Sequence, residues 1–147
     1  MSLSRIRTGV LAALVIAAAA VATTQTASAK PVPRRGHKNH VVKMITTEDK
    51  KQLFDPVNLT IAQGDTVTWE AVSGSHNVGF WADSIPAGAE AVLRKAMPDT
   101  IAPLLGVRKP TKGDTYVVVF KDAPKGTYKY YCKPHLNKMM LGTLIVK

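Results

Sequence analysis

The chain has 147 residues, 46% of them hydrophobic, with 20 Lys and Arg against 10 Asp and Glu, a net charge of +10 and a single cysteine. That balance points to acidic partners, and the lack of any zinc-finger or RNA-motif signature argues against nucleic acid. One cysteine excludes a disulfide within the chain.

Met1 to Ala29 has the layout of a secretory signal. Arg5 and Arg7 form a basic start, Gly9 to Ala22 is apolar, and Ala27-Ser28-Ala29 offers a small-residue cleavage site. Fourteen apolar residues fall short of the roughly 20 a membrane-crossing helix needs. The expectation is export to the periplasm or another extracytoplasmic space, as a monomer with no membrane span after cleavage. Loss of the two arginines lowers the net charge to +8 and leaves 118 residues, a length that fits one domain. Lys30 to His40 reads KPVPRRGHKNH, a flexible basic arm whose His37 and His40 could bind Cu(II) or Zn(II) weakly, although solvated tail histidines are the plainer reading.

From Val41 the pattern turns strand-like. Val41–Thr46 is a first strand, and Val57, Leu59 and Ile61 alternate with polar or small residues. Gly64-Asp65 turns the chain into Thr66–Glu70. Ala87 to Leu105 has few β-branched residues and predicts one or two short helices, limited by Pro98 and Pro103; Gly106 to Gly113 is a basic loop. Strands return at Thr115–Phe120, Thr127–Cys132 and Leu141–Lys147. Many short strands with turn signals predict an all-β sandwich over 41–147 with a short helical insertion around 87–105.

Chemistry concentrates where the strand ending at Cys132 runs into Lys133-Pro134-His135-Leu136-Asn137-Lys138-Met139-Met140-Leu141-Gly142. Ser75-His76-Asn77-Val78 lies far upstream. A free cysteine is often just a buried apolar side chain. Two imidazoles, a thiolate and a thioether, however, are the donors of a trigonal His2Cys copper site with a long axial Met. Soft sulfur suits Cu(I) and imidazole suits both oxidation states. Cys132, His135 and a methionine converge from one loop, Pro134 fixes its own backbone angle, and His76 comes from another strand.

These residues give the chain a clear resemblance to the cupredoxins, the type 1 (blue) copper proteins, on their plastocyanin and pseudoazurin branch. The likeness runs from about Val41 through Asn58-Leu59-Thr60-Ile61, Gly64-Asp65-Thr66-Val67-Thr68-Trp69, His76-Asn77-Val78, Ile85-Pro86-Ala87-Gly88, Gly126-Thr127-Tyr128 and the Cys132 loop. It implies a Greek-key β-sandwich, one copper held by His76, Cys132, His135 and Met140, and an Asn77 that ties the ligand loops by hydrogen bonds. The family pattern places the axial Met eight after the Cys, which selects Met140 and leaves Met139 a surface thioether. The 55 residues between His76 and Cys132 exceed the plastocyanin length, and the role of the excess is open.

The implied function is to carry single electrons between redox proteins by Cu(I)/Cu(II) cycling, with His135 as the port and no enzymatic activity. Four histidines are too few for a multicopper oxidase or a complete nitrite reductase. The rivals are a copper-delivery protein and a structural zinc site on the same residues. Strand alternation puts Tyr128 and Tyr130 on the face of Cys132 and Tyr131 on the other, where it lines a second electron route or is an ordinary surface tyrosine. Phe80 to Ser84 carries one acid only, so the acidic docking patch of plant plastocyanins is lost. Lys133 and Lys138 instead make the face around His135 basic, with Leu136 and Met139 between them, which suits partners with an acidic docking face.

Overall fold

A computed structural model describes residues 36–147. The signal expected over Met1–Ala29, and the arm as far as residue 35, lie outside the described residues. Ten strands form two sheets: β1 (Asn39–Thr46), β2 (Gln52–Asp55), β3 (Asn58–Ile61), β4 (Thr66–Ala71), β5 (Gly79–Phe80), β6 (Thr100–Ala102), β7 (Leu105–Gly106), β8 (Thr115–Val119), β9 (Gly126–Tyr131) and β10 (Leu141–Val146). One sheet has the order β2-β1-β4-β8 and the other β3-β10-β9-β5-β7-β6. Among the described residues one α-helix, α1 (Ala89–Ala96), interrupts the strands between β5 and β6. Among the described residues no helix is long and apolar enough to cross a membrane.

The two-residue period of a strand builds the core. Val67, Trp69 and Ala71 of β4, Tyr116 and Val118 of β8, and Tyr128 and Tyr130 of β9 all point inward and are buried. Aromatic rings lock the sheets together edge to face, with Tyr130 4.8 Å from Phe54 and 5.5 Å from Trp69 between ring centres. The Tyr130 ring has room because Gly142 stands opposite it across the β9–β10 pair, where a Cβ would collide with the ring.

The arm ends sooner than its composition suggests. Asn39 and His40 already belong to β1. The buried Asp65 carboxylate accepts the Lys38 N–H at 2.9 Å, the Ala62 N–H at 3.0 Å and His40 Nε2 at 2.8 Å. That anchoring holds the start of β1 against the turn into β4 and overrides the local polarity.

The expectation of one or two short helices over 87–105 is met by one, in the first half of that stretch. α1 begins after Gly88 and ends at Met97. Beyond it Asp99 and Leu104 adopt positive φ of 44° and 57°, and the chain forms the β6–β7 hairpin in place of a second helix. β5, β6 and β7, of two or three residues each, carry too few residues to show a period, and β2 was likewise not foreseen.

Gly142→Ala should lower the unfolding free energy by about 1–3 kcal/mol, because the Tyr130 ring is wedged between Phe54 and Trp69 and cannot yield. Denaturant unfolding of the metal-free protein checks it, and an unchanged midpoint would mean that the ring has slack.

Candidate metal centre

Strand pairing brings Cys132, Met140 and His76 to one end of the sandwich, and hydrogen bonds within the loop add His135. β9 and β10 are antiparallel neighbours with Tyr131 opposite Leu141. Cys132 and Met140 therefore close the connecting loop, with the Cys132 N–H donating to the Met140 carbonyl at 3.1 Å. Within that loop the His135 N–H donates to the Cys132 carbonyl at 3.0 Å and the Met140 N–H to the His135 carbonyl at 3.2 Å. These bonds wind 133–138 into 3-10 turns that carry His135 back over the cysteine. β5 pairs with β9 on its other side, Gly79 opposite Tyr131, and so sets His76 beside Cys132.

Cys132 Sγ lies 3.7 Å from His76 Nδ1 and 3.4 Å from His135 Nδ1. The three donor atoms all fall within 4.8 Å of one another. A metal bonded to sulfur at about 2.3 Å and nitrogen at about 2.0 Å, with about 120° between them, would separate S and N by about 3.7 Å. The donor triangle therefore fits a trigonally held metal ion of that size. His76 and Cys132 are buried and His135 is half-buried. Met140 is buried too, while Met139, at φ 56°, is 72% exposed.

Each imidazole has a reason for its orientation. His76 Nε2 donates to the Ser73 carbonyl at 2.8 Å, with Thr46 Oγ1 3.4 Å from the same nitrogen. A proton held on Nε2 leaves the Nδ1 lone pair facing the thiol. Gly74 makes this possible, since a Cβ there would collide with Thr46 Oγ1 and come 3.0 Å from His76 Nε2. Ser73 in turn donates to the Thr46 carbonyl at 2.7 Å.

Asn77 ties the loops together from a fully buried position. Its Oδ1 accepts the Lys133 N–H at 2.9 Å and its Nδ2 donates to the Gly106 carbonyl at 3.1 Å. Its backbone N–H points at Cys132 Sγ at 3.5 Å. Burial pushes the Cys132 thiol above its ordinary range, opposed by the N–H groups of Asn77 and His135 and by the Arg108 charge. Burial likewise lowers His76 and His135, and Arg108 adds to both. The site favours neutral imidazoles, which is the form that binds a metal.

The other singled-out residues lie elsewhere. His40 is engaged by Asp65, and among the described residues only His76, Cys132 and His135 gather as a potential His, Cys and carboxylate cluster. Tyr131 faces away from the core, its ring 4.5 Å from that of Trp81. Sequence reasoning missed Thr46, Ser73 and Arg108, because each meets the site through contacts far apart in the chain.

Residues 41–147 match the family described as copper binding proteins, plastocyanin/azurin family. The plastocyanin of a Synechococcus strain is 40% identical over 111 residues, covering 73% of this chain and 72% of that protein. The structure of oxidised plastocyanin from Dryopteris crassirhizoma aligns with a TM-score of 0.54 at 26% identity, over 74% of this chain and 100% of that one. Pseudoazurin from Methylobacterium extorquens shares the fold, with a TM-score of 0.52 at 24% identity over 74% of each chain.

Asn77→Ala removes the partner of the Lys133 N–H and strands the buried Gly106 carbonyl, and should cost about 1–3 kcal/mol of stability; thermal melts of metal-free protein measure it, and an unchanged melt would show that other bonds hold the loops. A pH effect follows as well. His76 and His135 lie below the ordinary imidazole value of 6.5 in the folded state, so the unfolded chain binds more protons as pH falls below that value. The metal-free protein should keep this stability above pH 6.5 and lose it towards pH 5, with His135→Gln flattening the slope. Melting temperatures that rise on acidification would contradict the sign.

Proposed function

Because the chain belongs to the plastocyanin/azurin family of copper-binding proteins and shares the cupredoxin fold, its cofactor is copper, and we propose that it is an exported carrier of single electrons. The proposed ligands are His76, Cys132, His135 and Met140, with Asn77 as the residue that fixes their loops. The observation that carries the proposal is the buried thiol set 3.4 and 3.7 Å from two imidazole Nδ1 atoms, one ring sealed inside and the other reaching the surface.

Bound copper supplies a one-electron couple. What the chain supplies is a site that need not rearrange between the two states. Ser73 holds the His76 proton on Nε2, Asn77 offers its backbone N–H to the Cys132 sulfur, and the Cys132–Met140 backbone bond closes the loop. Donors fixed by bonds that do not involve the metal keep the barrier to electron transfer low. His135, half-buried next to Leu136 and the exposed Met139, is the proposed port, since an apolar rim lets a partner ring approach without intervening water.

Export follows from the charge, apolar and small-residue layout of Met1–Ala29. The proposed partner is a redox protein with an acidic docking face. Lys133 and Lys138 are exposed at the port, and among the described residues no carboxylate forms an ion pair with either.

Copper-loaded protein should show an intense visible band that bleaches on reduction. Cys132→Ser should abolish it. Met140→Leu should retain copper and colour while raising the reduction potential, and Met139→Leu should leave both close to wild type. A larger potential shift from Met139→Leu would overturn the axial assignment, and a colourless copper complex of the wild type would overturn the electron-carrier reading itself.

A further inference from the structure

The loop from Gly106 to Lys109 is laid alongside the segment that carries His76. The Gly106 N–H donates to the Val78 carbonyl at 2.9 Å, and the Lys109 N–H to the His76 carbonyl at 2.7 Å; the His76 N–H returns a bond to the Lys109 carbonyl at 3.3 Å. Asn77 Nδ2 adds its bond to the Gly106 carbonyl. Arg108 sits between these fixed points and is exposed. Its backbone is thus anchored beside a proposed ligand, while the residue as a whole is exposed.

Arg108 is the immediate neighbour of Lys109, whose backbone pairs antiparallel with that of His76, so its charge is held one residue from a segment bonded to a proposed ligand. Among the described residues no carboxylate forms an ion pair with Arg108. Lys109 next to it lies 6.0 Å over the Tyr116 ring, and Lys138 lies in the ligand loop. A guanidinium stays charged at any working pH and grips a carboxylate with two parallel N–H bonds, which an ammonium cannot do.

We propose that Arg108 is the anchor for a carboxylate of the acidic redox partner and that this pairing couples docking to the oxidation state of the site. The inference rests on the electron-carrier reading above. The oxidised site carries one more positive charge than the reduced site, and Arg108 opposes that charge. A carboxylate seated on Arg108 offsets the opposition, so an acidic partner binds the oxidised protein more tightly. By thermodynamic reciprocity, docking lowers the reduction potential by the same factor. An acidic one-electron donor therefore docks on the oxidised carrier and gives up one electron as the carrier gains one. It then leaves a reduced carrier that holds it less tightly.

Hexaglutamate is a suitable probe, titrated at low ionic strength into oxidised and reduced copper protein, with the midpoint potential measured in its presence and absence. Wild type should bind the peptide at least about threefold more tightly when oxidised, and saturating peptide should lower the midpoint by about 28 mV, at 59 mV per tenfold for one electron. R108Q should start from a lower midpoint and lose most of the peptide-induced shift. R108K should keep the wild-type midpoint and bind the peptide more weakly, and K125Q, at the far end of β9, should behave as wild type. Equal peptide affinity in both oxidation states, or an R108Q protein with the wild-type midpoint and shift, would overturn the inference. A wild type without a reversible one-electron couple would overturn the carrier reading on which it rests, and a sound couple with R108Q unchanged would overturn the role of Arg108 alone.

Discussion

The carboxamide of Asn77 is the constraint on which the rest of the site depends. It is buried and bonds to Lys133 N on one side and Gly106 O on the other, so three segments distant in sequence share one polar group. A buried amide left unpaired costs several kcal/mol, which makes the arrangement close to all-or-none. Moving the Asn77 segment breaks both bonds, and moving either of the other two leaves one end of the carboxamide unpaired. The same residue aims its N–H at the cysteine sulfur, so the tie that sets loop geometry also sets the electrostatics of the thiolate.

Two kinds of rigidity meet there. The sheets provide the coarse kind, since β9 lies between β10 and β5 and so forces Cys132, Met140 and His76 to one end of the sandwich. Hydrogen bonds provide the fine kind through Ser73, Asn77 and the 3-10 turns. Neither uses the metal. A donor set arranged by its protein surroundings differs from a metal-nucleated fold, in which the unligated chain would lose its structure. The core of Trp69, Tyr130, Phe54 and Phe80 is large enough to hold the sandwich on its own. The stretch between β5 and β8 ends in the loop whose Lys109 backbone bonds to that of His76, so it brings Arg108 and Lys109 close to the metal centre.

Much of this was legible in the sequence because blue-copper ligands must come from a short loop and one distant strand. The spacing of Cys132 and His135 sufficed to bring those two together, the family pattern pointed to Met140, which is buried, and alternation put Tyr128 and Tyr130 inside. The rest was illegible for physical reasons. Two- and three-residue strands such as β5, β6 and β7 have no period to detect. The polar run through His40 concealed the start of β1, since Asp65, which anchors it, lies 25 residues on. The hairpin after α1 depends on positive φ at Asp99 and Leu104; Pro98-Asp99 marks a turn, but leucine seldom adopts that region. Arg108 looked like one cation in a basic loop until the pairing of His76 with Lys109 placed it at the rim.

Crystal structures of the metal-free, oxidised and reduced forms test most directly whether the protein, and not the metal, sets the geometry. The account predicts that Cys132 Sγ and both Nδ1 atoms keep their positions within about 0.5 Å in all three forms, with the Asn77 bonds to Lys133 and Gly106 intact throughout. A metal-free structure in which His135 swings away from Cys132, or in which those Asn77 bonds form only when copper is present, would contradict it.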